Sequence, residues 1–435
     1  MRILVVHQFY LMQGQSGGSR FNEMAHFWPE AGHEVSVVAG TVDYMTGASP
    51  ERYRRRFVTR EQEGRVTVWR CHVSDSYGSS YAGRMWAFLS FTISAAAMAC
   101  LAPRPDVIVA SSPPLVVCLP GWLAACLRWR RVPWVFEVRD LWPESATTTG
   151  VLKPRSVLTR CLYRLERFAY RRATRINVLT PAFKDNIVER GLAMPGKITV
   201  IPNGADLDHF RPGPRDNEVR REFCWGDRTV FLYAGAHGRA NALSQLIDAA
   251  EHLRDRADIL IACIGDGPER PKLESEARSR NLRNIAFLGP QPKSRVCDFI
   301  NAADAGVAVL QNNPTFQTVY PNKVFDYMAC ERPIVLAIDG AARALVCKDA
   351  RAGIFAKPEN GAAIAEVVRF LADHREERAE MGRSGRNWVI ENGGRAALAK
   401  RYLDLLIEIS DAGAGASVYG RNPDVSVLGI RPGRD

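Results

Sequence analysis

The chain lacks the marks of several protein classes. No C-x-x-C pair occurs among its ten cysteines, which are scattered and lie mostly in apolar runs. That spacing excludes a zinc ribbon or finger, and it fits buried thiols in a reducing compartment better than a disulfide framework. No nucleic-acid recognition motif and no long basic helix is present. The formal net charge of +11 therefore points to another kind of anion, either a phosphate-bearing substrate or an anionic membrane surface. No metal-ligand cluster stands out, and no strict G-x-G-x-x-G follows any expected strand. The opening "MRILVVHQFY" is too short an apolar run for a signal peptide and reads as the first buried strand of a cytoplasmic protein. One charge-free segment, "WAFLSFTISAAAMACLA" at 86–102, lies at the lower length limit for crossing a bilayer. It runs directly into "PRPDVIVASSPP", a turn and a strand, so we read it as a buried or surface-lying helix.

What is present is an α/β pattern, written twice. With 435 residues, 46% of them hydrophobic and 24% charged, two domains are expected. In the first half, "ILVV", "HEVSVVAG", "VTVWRC", "DVIVASS", "WVFEVRD" and "RINVLT" alternate with helical stretches. A second series begins at "TVFLYAG" and continues through "ILIACIGDG", "NIAFLGP", "AGVAVL", "PIVLAI" and "AGIFA". Strands separated by helices give parallel sheets covered on both faces. The expected architecture is two Rossmann-like, doubly wound domains facing each other across a cleft, 1–208 and 209–391, with the polar stretch 211–228 as linker. A helical segment at 392–411 and a mobile tail at 412–435 follow.

Ligands of such sheets bind beyond the carboxyl ends of the strands. Three glycine turns fall there: "GQSGGS" (14–19), "GAHGRA" (235–240) and "GDGPE" (265–269). Glycine at a strand-to-helix turn lets backbone N–H groups approach a phosphate, although tight packing of strand on helix accounts equally for any single one. The stretch "VYPNKVFDYMACERPIV" (319–335) adds a cation, Lys323, at the mouth of a helix and an acid, Asp326, three residues later. Lys323 suits a diphosphate, assisted by the helix dipole, and Asp326 suits ribose hydroxyls; solvated surface charge is the alternative for Lys323.

The order "SGGS…GHEVSVV", "EVRDLWPES", "IPNGAD", "LYAG", "IGDGPE", "FLGPQP", "YPNKVFDYMACERPIV" and "MGRSGR" resembles a retaining, family-four glycosyltransferase of the GT-B fold, in the WbuB-like branch associated with O-antigen and other surface polysaccharides. The resemblance runs from Met1 to about Leu406. It implies that Gly17 and Gly18 contact the donor diphosphate or sugar, joined by Gly265 and Asp266. Lys323 would neutralise the leaving diphosphate, Asp326 would match the second acid of an E-x7-E motif and hold the ribose, and Leu288 and Gly289 would offer backbone contacts to the base. Asp140 would be the acceptor-side polar group. Two positions depart from the family pattern. Thr318 stands where the first acid belongs, and the cations usual after Gly235 are replaced by Ala236 and Asn241, leaving Arg239 as the nearest substitute.

The resemblance implies transfer from a nucleotide-diphosphate sugar, UDP-linked in most of the family, to a lipid-linked glycan or polysaccharide acceptor. It implies retention by front-side attack, with no metal and no cofactor beyond the co-substrate. The expected place of work is the inner face of the cytoplasmic membrane. Arg52, Arg54, Arg55, Arg56 and Arg60, then Tyr81, Trp86, Phe88 and Phe91, then Arg128, Arg130 and Arg131, would meet an anionic leaflet. A sugar-nucleotide 2-epimerase and a non-catalytic nucleotide-binding scaffold are the alternatives.

Overall fold

The computed structural model describes residues 1–12, 20–43, 46–78, 81–127 and 132–418. Gly17, Gly18, Arg128, Arg130 and Arg131 lie outside the described residues. The N-terminal sheet contains β1 (Arg2–His7), β2 (Glu34–Gly40), β3 (Val58–Glu63), β4 (Val66–Cys71), β5 (Val107–Ser112), β6 (Trp134–Val138), β7 (Arg175–Val178) and β8 (Ile198–Val200). Its order is β3-β4-β2-β1-β5-β6-β7-β8, and every pairing is parallel except β3 with β4. The C-terminal sheet contains β9 (Thr229–Ala234), β10 (Ile259–Ile264), β11 (Ile285–Gly289), β12 (Ala305–Val309), β13 (Ile334–Ala337) and β14 (Gly353–Phe355), in the order β11-β10-β9-β12-β13-β14 and all parallel. Two Rossmann-like domains are therefore present, as the alternation of strands and helices requires.

Burial on both faces explains the unbroken apolar strands. On one face of the N-terminal sheet, Leu4, Val6, Ile108 and Phe136 pack with the helices Tyr81–Leu101, Cys118–Cys126 and Val157–Arg172. On the other, Ile3, Val5, Val107 and Val135 pack with the helix Arg20–Glu30 and with Arg395–Val418, the last helix of the chain. That last helix returns from the C-terminal domain. Trp28 donates its indole N–H to the Ala399 carbonyl at 3.0 Å, and the Tyr402 ring lies edge-on to Phe21 at 6.0 Å.

The chain crosses between domains twice, and the two crossings lie side by side. Ala205 and Gly394 form an isolated parallel bridge, Ala205 N–H donates to the Gly393 carbonyl at 2.8 Å, and Arg395 N–H donates to the Ala205 carbonyl at 2.9 Å. Gly204, at φ +67°, admits this approach, because a Cβ there would stand 2.2 Å from the Gly393 oxygen.

Three differences from the sequence reading have physical causes. The stretch 211–228 is folded into the C-terminal core rather than acting as a free linker. It contains the helix Glu218–Glu222, buries Trp225, and sends Arg220 to Asp304 at 2.8 Å. The last helix continues to Val418, beyond the expected tail boundary, and no proline interrupts its backbone ladder. The antiparallel edge strand β3 was not foreseen, since its exposed, charged face is what an edge requires and resembles a loop in composition.

A buried ion pair fixes the start of the helix Arg20–Glu30. Arg20 meets Glu137 at 2.7 Å with both side chains almost fully buried, and it also donates to the carbonyls of Ile201 and Pro202. Asn177 occupies the other Glu137 oxygen at 2.7 Å. Glu137→Gln leaves the Arg20 charge uncompensated, so it should destabilise the N-terminal domain by about 3–5 kcal/mol. Urea unfolding followed by tryptophan emission measures the change.

Candidate functional site

The C-terminal sheet changes direction of winding between β9 and β12, and there its two strands part. Only Ala305 with Phe231 and Gly306 with Leu232 remain paired. Beyond them the Tyr327 hydroxyl replaces the ladder: it accepts from the Ala234 N–H at 2.9 Å and donates to the Val307 carbonyl at 3.3 Å. Gly306 makes room for the ring, since a Cβ there would lie 2.3 Å from Tyr327 Cδ2. The resulting crevice at the carboxyl ends of the strands is where a doubly wound sheet takes its ligand.

Tyr327 belongs to the helix Asn322–Ala329, which Pro321 opens in an extended conformation and which buries Val324, Phe325 and Met328. Lys323 lies one turn before Tyr327 on the same face. Its ammonium is 3.6 Å from the centroid of the Tyr233 ring, and Nζ is buried with no hydrogen-bond partner among the described residues. Burial brings its pKa down to about 7, with the Cys263 thiol acting weakly in the opposite direction. A cation–π contact offsets only part of the desolvation of an ammonium. Burial thus disfavours the charged form of Lys323, which a nearby anion would favour.

The glycine turns close around this cation. A Cβ on Gly235 would stand 2.8 Å from Nζ of Lys323, and a Cβ on Gly265 (φ +125°) would overlap the Gly235 carbonyl at 1.9 Å. Gly235 N–H donates to Ile264 O at 3.0 Å and Gly265 N–H donates to Gly289 O at 2.9 Å, so three strand ends stack backbone on backbone. Leu288 packs partly into the core beside Gly289 and takes the Gln291 amide on its carbonyl at 3.1 Å. Asp266 is exposed; its carbonyl accepts the His237 N–H at 2.8 Å and its carboxylate accepts the Gly267 N–H at 2.8 Å.

Sequence reasoning missed two residues here. Tyr233 forms the floor under Lys323, and His237 is buried between Tyr233 and Phe287 with its pKa lowered by burial and by Arg270. Their only signal was an aromatic residue and a histidine flanking a glycine turn, which carries no spacing rule.

Asp326 faces a different neighbourhood. Its Oδ1 is buried without a hydrogen-bond partner among the described residues, and burial raises its pKa to about 7. Arg395 and Lys293 pull that pKa down while Glu23 and Asp206 push it up. Glu23 pairs with Arg395 and lies 3.7 Å from Lys293, so the acid looks onto the seam where the domains meet. Two more bonds close this seam: Thr180 Oγ1 donates to the Thr318 carbonyl at 2.7 Å, and Asn203 Nδ2 donates to Asn322 Oδ1 at 2.6 Å. Thr318, in the place of an acid, thus contributes its backbone to the contact with the end of β7.

Asp140 stands two residues beyond β6, at the carboxyl end of the N-terminal sheet. Ser145 Oγ donates to its Oδ2 at 2.9 Å, and burial raises its pKa against that bond and the Leu141 N–H. No hydrogen bond or ion pair joins it to Lys323 or Asp326. Arg239 is exposed and lines a cavity of about 170 Å³ with Glu269, Lys272, Gln311 and Glu359. Neither Lys323 nor Asp326 borders that cavity. Among the described residues no group of three His, Cys, Asp or Glu is placed to hold a metal ion.

A glycosyl transferase 4-like domain matches residues 17–204, and the glycosyl transferases group 1 family matches residues 215–388, so that together they span most of the chain. The chain belongs to the group 1 glycosyltransferases, with a 4-like N-terminal domain, and its architecture is GT-B. WcaI of Escherichia coli strain K12, assigned to colanic acid biosynthesis as a glycosyl transferase, is 26% identical over 337 residues, covering 76% of this chain and 81% of that protein. Among solved structures, sucrose-phosphate synthase from Thermosynechococcus elongatus superposes with a TM-score of 0.73 at 16% identity, over 94% of this chain and 99% of the other. HepE from Anabaena, in complex with UDP-glucose, gives a TM-score of 0.69 at 17% identity, over 94% and 100%.

The two shifted groups predict an unusual pH profile. The folded pKa of Lys323 is lowered to about 7, so between pH 7 and 10.5 the unfolded chain holds the extra proton and stability rises with pH. Asp326 is raised from 3.8 to about 7, so between those values the folded chain holds the extra proton and stability falls as pH rises. The pair contributes a trough in melting temperature near pH 7. Lys323→Met should flatten the alkaline limb alone and Asp326→Asn the acidic limb alone, as read by calorimetry across pH.

Proposed function

We propose that this glycosyltransferase moves a sugar from a UDP-linked donor to a lipid-linked glycan acceptor with retention of configuration, at the inner face of the cytoplasmic membrane. One observation carries the donor half of this reading. A buried ammonium without a hydrogen-bond partner stands at a helix N-terminus, at the switch point of the sheet, against two glycine turns that bring backbone within reach. A diphosphate supplies the missing anion, and in doing so it restores Lys323 to its charged form. The UDP-glucose complex of HepE, which has the same fold, supports a uridine nucleotide as the donor.

In the reaction the departing diphosphate gathers negative charge. Lys323 and the first N–H groups of Asn322–Ala329 are fixed where that charge grows, so little reorganisation accompanies the step. Asp326 accepts from ribose hydroxyls, and Leu288 and Gly289 border the base. Asp140 orients the acceptor hydroxyl; burial makes its carboxylate a stronger base than an ordinary aspartate. Retention, as the resemblance implies, places the acceptor on the leaving-group face, where the departing phosphate takes the proton.

Melting curves with a panel of nucleoside diphosphates test the donor: UDP should raise the melting temperature and other bases should raise it less. Lys323→Met should lower turnover by about 100-fold while leaving the fold intact. Asp140→Asn should keep the UDP shift and reduce transfer, and transfer equal to wild type would remove Asp140 from the site. A labelled donor incubated with and without lipid acceptor separates this reading from an epimerase, which needs no acceptor, and from a scaffold, which consumes no donor.

A further inference from the structure

The helix Tyr81–Leu101 lies along the N-terminal sheet with one side buried and the other exposed. Ala87, Phe91, Ala95 and Ala99 are fully buried against the strands, and Phe88 is also in the core. Phe88 and Phe91 were expected to be membrane anchors, and the structure corrects that: the register that turns Ala87 and Ala95 inward turns both phenylalanines inward too. The opposite side carries Trp86, Leu89, Ile93 and Leu101, exposed by 55%, 48%, 57% and 80%. Their spacing of three, four and eight puts them in one stripe, with small Ala97 in its gap and Ala82 one turn before Trp86. No charge interrupts the stripe from Trp86 to Leu101. At 1.5 Å per residue, the stripe from Trp86 to Leu101 is about 24 Å long.

The neighbouring helices supply the charge. Tyr81–Leu101 packs beside Cys118–Cys126, and that helix packs beside Val157–Arg172 through a Trp122–Phe168 ring contact at 5.0 Å. All three cover the same face of the sheet. On Val157–Arg172, Arg160, Arg164, Arg167 and Arg171 recur at helical spacing, are exposed, and form no ion pair among the described residues. The three helices hold a single carboxylate, Glu166, which is turned inward and bonded to Arg190 at 2.6 Å. The face is thus a charge-free apolar strip beside a row of uncompensated arginines.

We infer that this face is a docking surface for an anionic lipid bilayer, with Trp86, Leu89 and Ile93 entering the headgroup–acyl boundary and the Val157–Arg172 arginines meeting lipid phosphates. The inference rests on the lipid-linked acceptor proposed above and moves the contact away from the 52–60 arginines. Two of those are already engaged: Arg52 lies 3.8 Å from Glu61 and over the Tyr53 ring, and Arg60 lies over Trp69. The helix is long and apolar enough to cross a membrane by length and composition. Crossing would strip Phe91 and Ala95 from the core, so the helix lies in the interface plane. A second copy docked through the same face would set one arginine row against another, with Glu166 turned inward in both. The docked lobe is the one that carries Asp140, so a lipid-linked acceptor arrives at the lobe proposed to receive it.

Flotation of the full chain tests the surface, using phosphatidylcholine vesicles with and without phosphatidylglycerol. Wild type should float with the anionic vesicles and be released by salt. Arg160→Gln, Arg164→Gln and Arg167→Gln should each weaken binding about fivefold. Trp86→Ser with Ile93→Ser should abolish it, with the melting temperature and the UDP shift of every variant unchanged. Brominated lipid should quench tryptophan emission in wild type and lose that quenching in Trp86→Phe. If wild type floats and these variants float equally, the contact lies elsewhere and the surface is overturned. It is also overturned if wild type stays at the bottom, or if the Trp86 and Ile93 changes instead dissolve a dimer. A UDP shift absent from wild type defeats the donor reading and leaves the vesicle result to stand or fall separately.

Discussion

The hydroxyl of Tyr327 governs the C-terminal lobe. By standing in for the ladder bonds between β9 and β12, it satisfies the Ala234 N–H and the Val307 carbonyl while holding the strand ends apart. A sheet that parted without such a group would leave buried backbone polar atoms unpaired. The same helix face then delivers Lys323 into the opening, over Tyr233. Gly306 and Gly235 are the sequence's concessions to this geometry, because each gives up its Cβ to a side chain of the helix Asn322–Ala329. A buried ammonium and a buried carboxyl on one short helix weaken the unliganded fold, and such local inconsistency is expected where a ligand completes the structure.

The N-terminal lobe solves a different problem, which is to hold a loop-bearing helix against a sheet that meets another domain. Arg20, at the first turn of that helix, reaches Glu137 on β6 and the carbonyls that follow β8, and Tyr402 of the returning helix lies under its guanidinium at 5.9 Å. One turn later Glu23 pairs with Arg395 and neighbours Lys293 of the other lobe. The helix is thus tied inward by one residue and across the seam by the next. Burial, and after it the charges of Arg395, Glu23, Lys293 and Asp206 around that seam, set the raised pKa of Asp326.

Much of the fold was legible because parallel strands buried on both faces are written as continuous apolar runs. Each run from "ILVV" to "AGIFA" is a strand within three residues of its expected ends. β3 was not legible, since an edge strand such as "VTREQE" is charged for the same reason that a loop is. The nearness of Lys323 to the turns at Gly235 and Gly265 was legible because each follows a strand of one sheet at its carboxyl edge. Tyr233 and His237 were not, because they serve the site through burial, and burial follows from packing that no local spacing encodes. The exposed stripe of Tyr81–Leu101 was half legible. Composition marked an apolar helix, but only its register shows that Trp86 and Ile93 look outward while Phe88 and Phe91 look inward.

The two crossings between the lobes are hydrogen-bonded to each other at Ala205 and Gly394. A pair of tethers fastened at one point behaves as a door hinge rather than as two independent strings. Sliding one lobe past the other would shear the bridge and drag the last helix off Phe21 and Trp28, and turning the lobes apart would also break the Thr180–Thr318 and Asn203–Asn322 bonds.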